Sequence, residues 1–336
     1  MMGKNPTVVF PKPFEVVIEE REIPVPQKGE LLIRTLASMV SIGTELTFLS
    51  NEFEQGSMWS NFIKYPFVPG YDNVGEVIDV GSEVDPSWVG KRVAAFGCHA
   101  AYITAPADEV RIVHRNITNE QAAFSTIAEI VINGVRHANI ELGQAVGVYG
   151  LGPLGQLTVR FCQMNGAHPV FAIGMSDKRH KYLPKSTAII PVNYNKGDMV
   201  DVVKDATCGR MCDTIFEVTG NADFIPQQFS ILKKQGKMIL LGSPKKKTSI
   251  DLHDLCNSPS YSIIGVHIES HPAFETPYNP WTKKRNAEYF FNMVADGMLD
   301  VDSLISHKCS FEKAPEIYKM LLEDRSQAMG IIYNWT

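Results

Sequence analysis

Residues Ala145-Val146-Gly147-Val148-Tyr149-Gly150-Leu151-Gly152-Pro153-Leu154-Gly155 decide the fold. The opening residues, up to Tyr149, are apolar and read as a buried strand. The stretch from Pro153, PLGQLTVRFCQMNG, carries apolar residues at helical spacing and stops at Gly166. Between them lies Gly-x-Gly-x-x-Gly, and a strand before and a helix after are what separate a dinucleotide loop from a chance glycine pattern. Gly150 permits the tight turn, Gly152 lets the backbone approach a pyrophosphate, and Gly155 lets helix and strand pack closely. The helix N-terminus presents unpaired N–H groups and a positive dipole end to the phosphates. Gly150, Gly152, Pro153, Leu154 and Gly155 are therefore candidate cofactor-binding residues.

The next strand, within HPVFAIG, bears on which dinucleotide is bound. A carboxylate about 20 residues beyond the loop would hold the ribose 2′-hydroxyl of NAD. This strand instead ends at Gly174 and is followed by Met175-Ser176-Asp177-Lys178-Arg179. A glycine there leaves room for a 2′-phosphate, and Ser176, Lys178 and Arg179 are donors for it, so NADP(H) is preferred over NAD(H). The opposing reading makes Lys178 and Arg179 the exposed first turn of a helix, with Asp177 standing in for the missing acid.

Farther out, AIIPVNY, MCDTIFEVTG, GKMILLGSP and SIIGVHI are further apolar, β-branched runs separated by helical or loop material. Such alternation indicates a parallel sheet covered by helices on both faces. The first ~115 residues differ, with short β-type runs broken by Gly and Pro. These runs are VVFPKPFEVVIEEREIPVP, ELLIRTLASMVSIGTEL, NVGEVIDVGSEV, KRVAAFG and AAYITAP, and they suggest a compact barrel or sandwich. Helical spacing begins near Asn116, with Thr118, Glu120 and Gln121 as a start signal. After about residue 275 the chain turns polar and helical and closes on GIIYNW.

Composition narrows the classes. The chain has 336 residues, and 32 basic against 37 acidic side chains give a formal charge of −5. That argues against a nucleic-acid partner, which needs a basic surplus or stripe. Lys245-Lys246-Lys247 reads as a solvated turn. No run approaches the ~18–20 apolar residues of a membrane span, and charges and prolines interrupt the first residues where a signal peptide would be apolar. The 6 cysteines are scattered and read as reduced thiols of a cytoplasmic protein.

Taken with two further segments, the chain resembles the medium-chain dehydrogenase/reductase superfamily, the branch with zinc alcohol, sorbitol and threonine dehydrogenases. Gly43-Thr44-Glu45 looks like that family's Cys-Gly-Thr-Asp. Val68-Pro69-Gly70-Tyr71-Asp72-Asn73-Val74-Gly75-Glu76-Val77 looks like its Pro-Gly-His-Glu-x-x-Gly-x-Val. The resemblance implies an α/β chain. Residues 1–118 and 275–336 would form a GroES-like β-barrel catalytic domain, and residues 119–274 a Rossmann domain with a doubly wound parallel sheet. It also implies cofactor contacts at strand ends: Val218 and Thr219, Leu241, Gly242 and Ser243, and Gly265, Val266 and His267. A homodimer or homotetramer using SIIGVHI as an edge strand follows from the same resemblance.

The departures bear on mechanism. By family pattern a zinc-binding Cys would stand at Ile42 and a His at Tyr71, and a third ligand would fall in Ser125–Glu129, where only Glu129 can bind metal. An alkyl group cannot ligate and a phenol is a poor substitute for imidazole. The loop of four structural-zinc cysteines is missing too, with Cys98 alone beside His99. The expectation is a zinc-independent enzyme. Tyr71 is then the candidate donor to a substrate oxygen, provided neighbours lower its pKa. Thr44 matches the family's proton relay, and Asp72 and Glu129 would orient both. The alternative is that Tyr71 only fills the former metal position. His99, His267 and His271 are further pocket candidates or packing residues, and Trp281 caps the site or lies in an oligomer contact. The implied reaction is NADP(H)-dependent hydride transfer to or from an alcohol, ketone or aldehyde. Alternatives are reduction of an activated C=C bond or quinone, and a nucleotide-binding sensor without catalysis.

Overall fold

A computed structural model describes residues 4–113 and 115–335. The chain divides into two compact units, Met1–Ile127 with Thr276–Thr336, and Ala128–Glu275.

In the first unit, β1 (Lys4–Val9) and β2 (Val17–Glu22) make an antiparallel ribbon. The main sheet is built around β3 (Glu30–Met39), which pairs antiparallel with β4 (Asp72–Val80). β5 (Arg92–Ala95) pairs with β4, β6 (Tyr102–Pro106) with the first half of β3, and β7 (Arg111–Ile112) with β5. The β3–β4 register shifts around Thr35, where a Cβ on Gly75 would fall 2.3 Å from the Arg34 carbonyl oxygen. Only glycine lets the strands close there.

The run ELLIRTLASMVSIGTEL, expected to be β-type throughout, splits. The chain leaves β3 and enters α1 (Ile42–Ser50) because the Glu45 carboxylate reaches back and accepts the Ser41 N–H at 2.7 Å. That bond satisfies an amide at the helix start. A short helix, α2 (Met58–Phe62), follows before β4. The helical stretch after Asn116 also divides, into α3 (Asn119–Ala122) and α4 (Ser125–Ala138). Thr118 starts the first of these with the expected cap, exchanging hydrogen bonds with Gln121.

The second unit alternates strand and helix. Its elements are β8 (Val146–Tyr149), α5 (Pro153–Met164), β9 (Val170–Gly174), β10 (Ile189–Asn193), α6 (Met199–Ala206), β11 (Cys212–Glu217), α7 (Ile225–Gln228), β12 (Leu232–Leu240) and β13 (Ser262–Gly265). The strands form one parallel sheet in the order β10-β9-β8-β11-β12-β13. Order therefore reverses between β8 and β11, the switch point where open α/β sheets take ligands. Tyr149, Phe171, Val203, Cys212, Ile215 and Met238 form the core beneath it.

The last segment returns to the first unit through α8 (Lys283–Ala295), β14 (Ile305–Ser310), α9 (Ala314–Asp324) and β15 (Gly330–Asn334). β15 pairs with β3 and with β14. β14, ISHKCS, is too polar to read as a strand from sequence, and its pairing with the buried β15 is what orders it. Phe10, Leu49, Tyr318, Leu321, Ile331 and Tyr333 fill the core that α1 and α9 share. No helix among the described residues is long and apolar enough to cross a membrane.

Candidate active site

The glycine loop has the conformation its sequence requires. Gly150 sits at φ +102°, a region closed to most side chains. Gly152 is the N-cap of α5 and Pro153 its first residue, so the cap itself puts no side chain over the first helical amides. A Cβ on Gly155 would lie 1.8 Å from the Gly150 carbonyl oxygen, which fixes helix against loop. A Cβ on Gly174 would meet Leu151 at 3.1 Å and the Ser176 carbonyl at 3.3 Å, so glycine keeps the end of β9 close to the loop.

Beyond Gly174 the donors separate. A guanidinium nitrogen of Arg179 lies 3.3 Å from where a Gly152 side chain would begin. The Arg179 carbonyl accepts from Gln156 of α5 at 3.0 Å, tying that residue to the helix behind the loop. Lys178 is exposed and Ser176 half-buried. Asp177 is engaged elsewhere, accepting from Asn193 at 3.0 Å and pairing with Lys196 at 3.1 Å. The Asn193 amide and Lys196 hold its carboxyl below the usual range. A carboxylate so occupied is a poor stand-in for a ribose-binding acid.

The remaining cofactor candidates lie at adjoining strand ends. Val218 N–H donates to the Tyr149 carbonyl at 3.0 Å, and Leu241 and Gly242 donate to the Glu217 carbonyl at 3.0 and 2.7 Å. A Cβ on Gly242 would come within 3.0 Å of the Gly220 nitrogen, so these two turns touch through backbone. Val266 N–H donates to the Leu240 carbonyl at 3.0 Å. Gly265 and Ser243 are exposed, and so is His267, whose Nδ1 accepts from the Glu269 amide at 3.3 Å. His271 Nδ1 donates to the Ile268 carbonyl at 2.6 Å. The Arg285 guanidinium covers the Trp281 ring at 4.6 Å.

The residue that organises the Val218–Gly220 turn escaped the sequence reading. Glu217 ends β11 and is buried, and one of its oxygens accepts from Thr219 N–H and hydroxyl at 2.6 Å each and from Gly220 N–H at 2.7 Å. The other accepts from Gln228. Burial raises its pKa against those hydrogen bonds. A raised carboxyl favours folding most below its unfolded value, and the contribution is lost as pH climbs through the folded value. Glu217→Gln is therefore expected to lose less stability than the parent between about pH 5 and pH 8, as read by denaturant unfolding at both pH values.

The first unit gathers a hydroxyl cluster. Tyr71, immediately before β4, shares a short hydrogen bond with the Ser41 hydroxyl. Its ring stacks on Phe96, with centroids 5.5 Å apart and planes 12° from parallel. Thr44, in the first turn of α1, lies near enough to the phenol to act on its ionisation, and Asp72 is buried beside it. The structure thus brings Thr44, Tyr71 and Asp72 together, while Glu129 is buried on α4 in the second unit.

One expectation is overturned here. The Tyr71 pKa is not lowered but raised, first by burial and then by the charges of Asp72 and Glu45, which outweigh the hydrogen bond with Ser41. The phenol keeps its proton and acts as a hydrogen-bond donor. His99 is fully buried with its ring nitrogens bonded inside the unit, so it belongs to the polar core rather than to an open pocket wall. Ser41 and Phe96 carried no sequence signal, because each matters only through its contact with Tyr71.

The side chains at the family's metal position are poorly suited to zinc. Ile42 is buried among apolar neighbours and has no ligand atom. Tyr71 is a phenol paired with Ser41, a poor substitute for imidazole, and Glu45 and His99 are bonded to each other. Among the described residues no group of three or more His, Cys, Asp or Glu is disposed to hold a metal ion. This set does not fit a tetrahedral zinc site.

Two family models match the chain. Residues 27–115 match the alcohol dehydrogenase GroES-like domain, and residues 153–284 match the zinc-binding dehydrogenase family. The L-threonine 3-dehydrogenase of Pyrococcus abyssi is 27% identical, with 96% of each chain covered. A crystal structure described as a zinc-binding dehydrogenase from Sinorhizobium meliloti 1021, bound to NADP, superimposes with a TM-score of 0.81 at 20% identity, covering 99% of both chains. The 2R,3R-butanediol dehydrogenase of Bacillus subtilis superimposes with a TM-score of 0.79 at 18% identity, over 98% of this chain and 99% of that one.

Proposed function

Because the chain belongs to the medium-chain dehydrogenase/reductase superfamily, in its zinc alcohol dehydrogenase-like part, we propose that it moves hydride between NADP(H) and an alcohol or carbonyl substrate without a zinc ion. The observation that carries this reading is the Tyr71 hydroxyl, paired with Ser41 where family members place a metal ligand.

The nicotinamide, when bound, supplies or accepts the hydride. The chain's residues supply the rest. Gly150, Gly152 and Gly155, with the first amides of α5, hold the pyrophosphate. Arg179 takes the 2′-phosphate, since a guanidinium binds phosphate in a fork and already stands beside Gly152; Ser176 and Lys178 add to it. Val218, Thr219, Leu241, Gly242, Ser243, Gly265, Val266 and His267 would line the cofactor along the strand ends with the polar groups not already bonded within the sheet and its turns. In the first unit Tyr71 donates to the substrate oxygen and steadies the charge that develops there. Its raised pKa suits this role, because the phenol remains a donor across the physiological range. The proton that reduction adds to the substrate oxygen, or that oxidation removes, passes between that oxygen and solvent through the Thr44 hydroxyl, while burial and the charge of Asp72 keep Tyr71 protonated.

The substrate class is a small alcohol, ketone or aldehyde. All 6 cysteines are free thiols, which supports a reducing, cytoplasmic setting. The outer position of β13 in the sheet supports a homodimer or homotetramer built by strand pairing.

The test is nicotinamide oxidation over a panel of ketones, aldehydes, enones and quinones, with NADPH and NADH compared in metal-free buffer. Carbonyl turnover with NADPH is expected. Turnover restricted to enones or quinones overturns the carbonyl reading, and NADPH binding without any turnover overturns catalysis. Arg179→Ala is expected to weaken NADPH binding by about 10- to 100-fold, the worth of a charged hydrogen-bond pair, and to leave NADH binding within about twofold. Equal losses for both nucleotides in a fluorescence titration would remove Arg179 from the 2′-phosphate.

A further inference from the structure

Glu45, in the first turn of α1, is fully buried. A buried carboxylate persists only where several donors satisfy it. One oxygen accepts the Ser41 N–H at 2.7 Å; the other faces His99 Nε2 at 3.2 Å and accepts the Tyr318 hydroxyl. His99 is equally buried, and its Nδ1 lies 2.8 Å from the Ser38 hydroxyl. That hydroxyl also accepts the Trp335 indole N–H at 2.8 Å. The order of donors assigns the imidazole tautomer. A carboxylate can only accept, so Nε2 carries the hydrogen aimed at Glu45, and in the tautomer with that single hydrogen Nδ1 accepts from the Ser38 hydroxyl.

Both partners of the Ser41–Tyr71 hydroxyl pair are tied to this dyad. Ser41 is held through its amide on Glu45. Tyr71 is held through the residues before it: the His99 N–H donates to the Pro69 carbonyl at 2.8 Å, and a Cβ on Gly70 would come 2.7 Å from the His99 nitrogen. The segment preceding the phenol therefore lies directly on His99. Such contacts recur nowhere in the linear pattern, since they join β3, α1, the loop after β5, α9 and the chain's last residues.

We propose that Glu45 and His99 are positioning residues that hold the hydroxyls of Ser41 and Tyr71 in one fixed pairing, aiming the phenol at the substrate oxygen. The inference rests on Tyr71 as donor, but phenol orientation can be read without turnover. Neither residue touches substrate; each acts through the pair it braces. A donor fixed before reaction costs no reorganisation when charge develops, which is the advantage such bracing confers.

The experiment uses full-length protein with tyrosines labelled with ¹³C at Cζ, saturated with NADPH. The Tyr71 resonance is identified by its loss in Tyr71→Phe. Ser41→Ala, Glu45→Gln and their combination are compared for that resonance, for kcat with the best carbonyl of the panel, and for NADPH affinity. Glu45→Gln is expected to move the Tyr71 resonance and to lower kcat by about tenfold with NADPH affinity unchanged. The double variant is expected to fall clearly short of the sum of the single effects, because Glu45 acts in part through Ser41. An unmoved Tyr71 resonance in Glu45→Gln, or full additivity, overturns the proposal. Should Glu45→Gln fail to fold, His99→Gln, which breaks the other arm of the dyad, carries the same comparison. A Tyr71→Phe variant with full turnover overturns the donor reading alone and leaves the resonance comparison to decide the positioning.

Discussion

Tyr71→Phe is expected to lower kcat by about 10²-fold while leaving NADPH affinity within about twofold, because one donor to a developing oxyanion is worth that much. The substitution removes a single oxygen. The ring keeps its stacking partner, Phe96, at 5.5 Å, so packing survives and the loss reports on the hydroxyl. Steady-state kinetics with the best carbonyl substrate, beside a fluorescence titration with NADPH, separates the two quantities. Retained turnover would return Tyr71 to the role of filling the former metal position. The same variant has a signature in stability. The folded phenol ionises above its ordinary value of 10.0, so its contribution is intact below that pH and is lost as pH rises through the folded value. Above about pH 10 the parent should therefore lose stability faster than Tyr71→Phe.

The second large effect is steric. Gly155→Ala is expected to weaken NADPH binding by at least about 10²-fold and to cost about 1–3 kcal/mol of stability, the range for forced overpacking. The new methyl would need to occupy space 1.8 Å from the Gly150 oxygen and 2.8 Å from its carbonyl carbon. Both neighbours are backbone, so no side chain can swing aside. Either α5 retreats from β8 or the loop shifts, and each moves the amides proposed to hold the pyrophosphate. Denaturant unfolding and NADPH titration of the same preparation check both parts. An alanine variant that binds NADPH like the parent would mean that the loop relaxes without losing its phosphate geometry.

How far the molecule was legible in advance depends on the range of the forces involved. The strand, loop and helix from Val146 to Met164 lie within one stretch of chain, and each glycine there serves a local purpose that can be named from spacing. The parallel order of β8 to β13 follows from alternation of apolar runs with helical ones. Segments that depend on distant partners were harder to read. β14 is a strand because β15 pairs with it, and the apolar run ending β3 breaks at Ser41 because Glu45 caps the start of α1. Lys178 and Arg179 were equal candidates by residue type, and the structure ties Arg179 to α5 and sets its guanidinium beside Gly152.

The amino-acid sequence by itself determined a dinucleotide-binding α/β half joined to a β-rich half. It also determined that an alkyl group and a phenol stand where metal ligands are usual. Those are facts of composition and short-range pattern, which need no folding to be true. Only the tertiary structure decided what the phenol can do. Its proton is held more tightly than in water because burial and the carboxylates of Asp72 and Glu45 surround it, and its direction is set by Ser41. Those groups, with His99, Tyr318 and Trp335, come from widely separated parts of the chain. Hydrogen bonds and desolvation act over a few ångströms in space, whatever the distance along the sequence.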